Sequence, residues 1–137
     1  MAYILRSNSL PNLYSAKGAG VWAFKPRKTE ASDKGLKTII SERLKPGTQV
    51  VGMLSGNNGG ALMFGTVRSY VQNKKTINTI WPGVYNFPIN IDWEFINKDQ
   101  SLVNKTKFKN IVGALNGFGH LGMMEISQEE FENIIKD

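Results

Sequence analysis

Residues 89–96 alternate between two chemistries. Ile89, Ile91, Trp93 and Phe95 are apolar, while Asn90, Asp92 and Glu94 between them are polar or charged. Successive side chains of an extended strand point to opposite faces, so a period of two describes a strand with one buried face and one wet face. This segment commits the chain to a sheet with a covered side. It also assigns Trp93 to the core beneath that sheet.

The other elements follow from local signals. Residues 3–7 read as a first strand, although they alternate poorly. Residues 10–17 read as a short helix with Ser9 as N-cap and Pro11 in the first turn. Gly18 and Gly20 are expected to end it, and residues 21–24 to form a second strand. Leu36, Ile39, Ile40 and Leu44 recur at helical spacing and predict a helix over 30–44, closed by Pro46-Gly47. Residues 48–54 and 61–71 read as two strands joined through a glycine-rich turn at 56–60, with Gly65 marking a bulge. Residues 81–85 fit no regular element. Ser127-Gln128-Glu129-Glu130 has the form of a capping box opening a last helix, which Phe131, Ile134 and Ile135 would pack onto the body. Strands and helices mix without a regular βαβ alternation, so the expected fold class is α+β, with a curled, barrel-like mixed sheet flanked by helices.

Size and composition narrow the function. A chain of 137 residues with 41% hydrophobic and 20% charged residues is a single globular domain. It has no cysteine, which excludes disulfides and thiolate metal sites, and one histidine, His120, which excludes a histidine cluster. Neither a metal nor a cofactor is expected. No apolar run reaches the length of a membrane span, and Arg6 and Ser7 interrupt the first one. A cytoplasmic protein without membrane partners is the expectation.

Charge is unevenly distributed. Up to Met124 there are 16 Lys and Arg against 6 acids, whereas from Glu125 onward there are 5 acids and Lys136. A basic body points to a polyanionic partner, most simply nucleic acid. Lys17, Lys25, Arg27, Lys28, Lys74 and Lys75 are candidate phosphate contacts. Lys105, Lys107 and Lys109 would form a lysine stripe on one face of a strand.

Two motifs that suggest other chemistry fail on context. Gly117-Phe118-Gly119-His120-Leu121-Gly122 matches the dinucleotide fingerprint, but too little chain follows for the helix and second strand that it needs. Asp92 and Glu94 share a strand face, as paired catalytic carboxylates could, yet the alternation already explains both as a solvent-facing edge. No enzymatic activity is expected. The sequon at Asn104-Lys105-Thr106 means little without a secretory signal.

The aromatic residues point elsewhere. Trp22 follows Gly18-Ala19-Gly20-Val21 directly, and Trp81 and Tyr85 flank Pro82-Gly83, all where pattern does not ask for core packing. Glycine lets a flat group approach the backbone, and tryptophan supplies a rigid aromatic face. A pocket for a planar ligand, a nucleobase above all, is the reading.

The sequence resembles the YTH domain family. The likeness rests on Tyr3-Ile4-Leu5-Arg6-Ser7-Asn8, then Asn12, then Lys17-Gly18-Ala19-Gly20-Val21-Trp22, and on Asn90-Ile91-Asp92-Trp93-Glu94-Phe95-Ile96. It runs over most of the chain and is strongest in the first quarter and at that strand. The resemblance implies a reader that binds N6-methyladenine in an aromatic cage, with Trp22, Trp81 and Tyr85 as walls. It implies that Asn8 and Asn12 hydrogen-bond the ring, that the Ala23 carbonyl accepts the remaining amine hydrogen, and that Arg6 lies near a phosphate. The family's C-terminal segment, an arginine followed by Asp and Gly, is not evident, and Asn116-Gly117 stands about there without the charge. That departure favours the prokaryotic relatives at the N-terminus of McrB-type restriction proteins, which read methylated DNA. The expected activity is capture of a flipped-out base in methylated DNA by the targeting module of a modification-dependent restriction system, within a longer protein. Reading of single-stranded RNA is the alternative, and a basic protein-interaction module without base recognition is a second.

Overall fold

Residues 89–95 are the C-terminal part of a longer strand. In the computed structural model, which describes residues 2–24, 30–55, 59–70, 86–103 and 123–136, β5 runs over Asn86–Phe95. The others are β1 (Ala2–Ser7), β2 (Val21–Phe24), β3 (Gln49–Leu54), β4 (Gly60–Tyr70) and β6 (Met123–Ile126), with α1 (Leu10–Ala19), α2 (Glu30–Arg43) and α3 (Gln128–Ile135). The six strands form one mixed sheet in the order β2-β5-β4-β3-β1-β6, and only β1 with β3 is parallel. The sheet is curled into a half-barrel, so the expected α+β class is found. β5 lies between β2 and β4, so Asp92 and Glu94 occupy a solvent face of an interior strand and not an edge.

Around β1 and β3 both faces of the sheet are covered. Tyr3 and Leu5 of β1 join a core with Leu13 and Ala16 of α1, Leu36 and Ile40 of α2, and Trp22, Ile89, Ile91 and Trp93. Ala2 and Ile4 join a second core with Val51, Met53, Met124, Phe131 and Ile134 under α3. This explains why β1 alternates poorly. Strands buried on both sides read as continuous apolar runs.

Helix ends follow their sequence signals, with one exception. Ser9 caps α1 by accepting from the Asn12 amide at 3.3 Å. Gly20 alone ends that helix, in the left-handed conformation (φ 67°), with its amide donating to the Ala16 carbonyl. Gly18 is inside the helix, and a Cβ there would meet nothing within 4 Å. It is therefore not a helix stop.

Ser127 and Glu130 form a reciprocal capping box, Glu130 N–H to Ser127 Oγ at 3.1 Å and Ser127 N–H to Glu130 Oε1 at 2.9 Å. α3 has 8 residues, too few to hold its own helix in water, so it depends on this cap and on Phe131, whose ring meets Phe64 edge-on at 6.4 Å. Ser127→Ala is expected to cost about 1 kcal/mol. A lower urea midpoint at unchanged slope is the readout.

Gly65 marks no bulge. The register shifts fall between Gly52 and Met53 on β3 and between Val67 and Ser69 on β4. Gly65 pairs regularly with Trp93, and the neighbouring strand comes so close that only glycine fits.

Candidate nucleic-acid interface

One helix and its two flanks hold Asn8, Asn12, Lys17 and Trp22 of the residues singled out by sequence. Asn8 immediately precedes the N-cap of α1, Asn12 is in its first turn, Lys17 is in its last, and Trp22 lies two residues beyond its C-cap. α1 packs on β1, β2 and β3, so its placement fixes all four. The turn into the helix is held from several sides. The Ser9 amide donates to Ser7 Oγ at 3.1 Å, Ser7 Oγ donates to the Ser9 carbonyl at 3.2 Å, and the Ser55 amide donates to the Ser7 carbonyl at 2.9 Å. Asn8 is exposed on this fixed turn and Asn12 is half-buried. Arg6 is exposed on the last part of β1.

Trp22 is only 4% exposed, against the expectation that pattern does not call for core packing there. Its ring meets that of Trp93 edge-on, at 6.0 Å between centroids and 62° between planes. The Trp93 indole N–H donates to the Val21 carbonyl at 3.1 Å, which ties β5 to the residue beside Trp22. Trp93 is a core residue at 6% exposure, as the alternation predicts. Trp22 is therefore clamped from behind by a second indole, and its burial makes it part of the fold as well as a candidate wall.

Ala23 sits at an irregularity. Trp22 pairs with Ile89 and Phe24 with Asn86, so Phe87 and Pro88 together stand opposite Ala23. Two residues opposing one is the signature of a β-bulge, a device that redirects backbone groups near functional sites. Phe87 has φ 55°, a left-handed conformation uncommon for a phenylalanine. Sequence reasoning begins β5 at Ile89 and misses this bulge. Pro88 was its available signal, because proline within a strand marks an edge or a bulge.

Lys17 is partly occupied. Its ammonium lies 5.1 Å from the centre of the Phe95 ring, and Tyr14 approaches the same ring at 6.0 Å. Asp92 pairs with Arg68 at 3.3 Å, both side chains about two-thirds exposed, which accounts for this carboxylate as a surface ion pair. Among the described residues no group of three or more His, Asp or Glu could hold a metal, and no helix is long and apolar enough to cross a membrane.

The other proposed walls, Trp81 and Tyr85, lie outside the described residues, as do Lys25, Arg27, Lys28, Lys74, Lys75, Lys105, Lys107, Lys109 and His120. The glycine-rich loop at 117–122 and residues 56–58 of the expected hairpin turn lie outside them too.

Solved structures share this architecture. The YTH domain of Mmi1 matches with a TM-score of 0.65 at 17% identity over 98% of this chain and 92% of that one. A complex of the Mmi1 YTH domain with RNA gives 0.65 at 16%, over 98% and 75%. The YTH domain of the MRB1 protein of Zygosaccharomyces rouxii, in complex with N6-methyladenosine RNA, gives 0.50 at 16%, over 98% and 81%. No protein-family model matches the sequence, and no curated protein matches it. At these identities the likeness establishes a YTH-like fold.

Proposed function

We propose that this domain is a binding module that captures N6-methyladenine in nucleic acid. The observation that supports the reading is that α1 and the strands it packs on hold Asn8, Asn12 and Trp22 in fixed places, with Ala23 at a bulge next to Trp22. The shared fold with domains solved in complex with RNA supports it. In this reading Trp22 is one wall, with Trp81 and Tyr85 as the others, and Asn8 and Asn12 hydrogen-bond the ring edge. The Ala23 carbonyl accepts the remaining amine hydrogen, and Arg6 and the lysines meet phosphates.

Preference for the methylated base has a simple physical origin. The methyl replaces one exocyclic N–H with an apolar group, and burying it is worth about 0.8 kcal/mol. An unmethylated base would bring that N–H into the cage without a partner, at about 1–3 kcal/mol. Together these give on the order of 2–4 kcal/mol, or roughly tens to several hundredfold in affinity. Stacking on aromatic walls adds about 1–3 kcal/mol shared by both bases. The discrimination comes mainly from the penalty.

Single-stranded RNA presents the base directly. Duplex DNA requires it to leave the helix at a cost of a few kcal/mol. In the second reading, of duplex DNA, phosphate contacts from the basic body offset base flipping and the domain targets a modification-dependent restriction activity. Titrating methylated and unmethylated RNA, single-stranded DNA and duplex DNA side by side separates the two. Methyl preference in RNA and single-stranded DNA but not in duplex supports the first. Tightest binding to methylated duplex supports the second, and equal binding of methylated and unmethylated strands in every form refutes both.

A further inference from the structure

α2 turns a basic side to solvent. Leu36, Ile40 and Leu44 are buried against the core that contains Trp22, while Lys34, Lys37, Arg43 and Lys45 are exposed, with Glu42 the one exposed acid among the described side chains of this stretch. Arg43 and Lys45, at the C-terminal end of the helix, complement its dipole. That explanation does not reach Lys34 and Lys37, which lie one turn apart and further back.

An aromatic ring stands beside this stripe. Tyr70, the last residue of β4, is 39% exposed, and its hydroxyl donates toward two α2-end carbonyls, Ser41 at 3.2 Å and Leu44 at 3.1 Å. Burial around that hydroxyl raises its pKa above the ordinary tyrosine value, keeping it a donor. A tyrosine anchored by its tip presents its ring in one orientation, and little rotamer freedom is then left to lose on stacking. Tyr70 is also near the candidate cage. It pairs in register with Ile89, and Ile89 pairs with Trp22 on the other side. Two strand spacings, about 10 Å, separate Tyr70 from Trp22 across the sheet.

We infer that Tyr70, Lys34 and Lys37 of α2, and Lys45 just past its end form a strand-tracking subsite, on which a nucleotide flanking the captured base stacks while the lysines hold its phosphates. The occupant is a single-stranded segment of nucleic acid, which fits an aromatic face set in positive charge. Duplex keeps its bases stacked and offers Tyr70 none. The inference takes the location of the captured base from the reading above, and stands or falls on separate measurements.

The test compares two probes on the whole chain: the free nucleoside N6-methyladenosine, and a single-stranded RNA oligonucleotide with that base at its centre. Tyr70→Ala is expected to weaken oligonucleotide binding about tenfold, within the range for losing one stacked base, and to leave nucleoside binding unchanged. Tyr70→Phe keeps the ring and is expected to stay within about threefold of the parent. Lys37→Glu with Lys45→Glu should weaken the oligonucleotide alone and flatten its log–log salt dependence by about one to two. Unchanged oligonucleotide affinity in these variants, or an equal loss for nucleoside and oligonucleotide, overturns the subsite. If the parent fails to distinguish methylated from unmethylated strands but the same variants still weaken both, the cage reading falls and the subsite stands.

Discussion

Trp22→Ala is expected to lower folding stability by about 3–5 kcal/mol, as for other buried aromatics cut back to alanine. The ring is 4% exposed and packs edge-on against Trp93, so its removal opens a cavity in the core shared by both helices of that face. Small domains hold only about 5–15 kcal/mol in total. The sequence alone leads one to expect an intact fold after this change, and the burial corrects that. Loss of binding by the alanine variant would therefore mix unfolding with loss of the wall. Trp22→Leu separates them. It retains apolar volume, is expected to cost about 1–3 kcal/mol, and removes the aromatic face. Its ratio of affinities for methylated and unmethylated strands should fall from tens or hundreds to near one. A folded Trp22→Leu protein that keeps the parent ratio would remove Trp22 from the cage.

Gly65→Ala is expected to be strongly destabilising for so small a substitution, at about 3 kcal/mol or more. A Cβ at Gly65 would stand under 3.0 Å from both the Asp92 carbonyl oxygen and Ile91 Cγ2. The first of these is backbone of an interior strand, hydrogen-bonded on both sides, and cannot turn aside as a flexible side chain would. Gly18→Ala is the contrast. Its Cβ meets nothing within 4 Å, and glycine within a helix is worse than alanine by about 0.5–1 kcal/mol, so this variant should be more stable. Urea denaturation of the pair reads both signs. A destabilised Gly18→Ala would mean that Gly18 has a steric role that the structure does not display.

Local signals were the legible ones. The Ser127–Glu130 box, the Ser9 cap, the face of α2 and the alternation of β5 involve residues a few positions apart, and each holds in the structure. Tertiary closeness was not legible. Gly65 looks like a bulge in sequence because a strand glycine has two readings, and only the approach of β5 decides between them. Trp22 looks free because its pattern is broken by glycines, whereas the partner that buries it, Trp93, is 71 residues away in the chain. Tyr70 carries no sequence signal, since its role depends on the end of α2 lying beside the end of β4.

The central claim is that the base is held at Trp22. The chain has three tryptophans, so its indole N–H groups give three resolved signals in a nitrogen-15 correlation spectrum, assigned with Trp22→Leu. Titration with free N6-methyladenosine should move the Trp22 signal most, with saturation, while adenosine at the same concentrations moves it little. Equal shifts from the two nucleosides, or a Trp22 signal that stays in place as methylated RNA binds, would contradict the account.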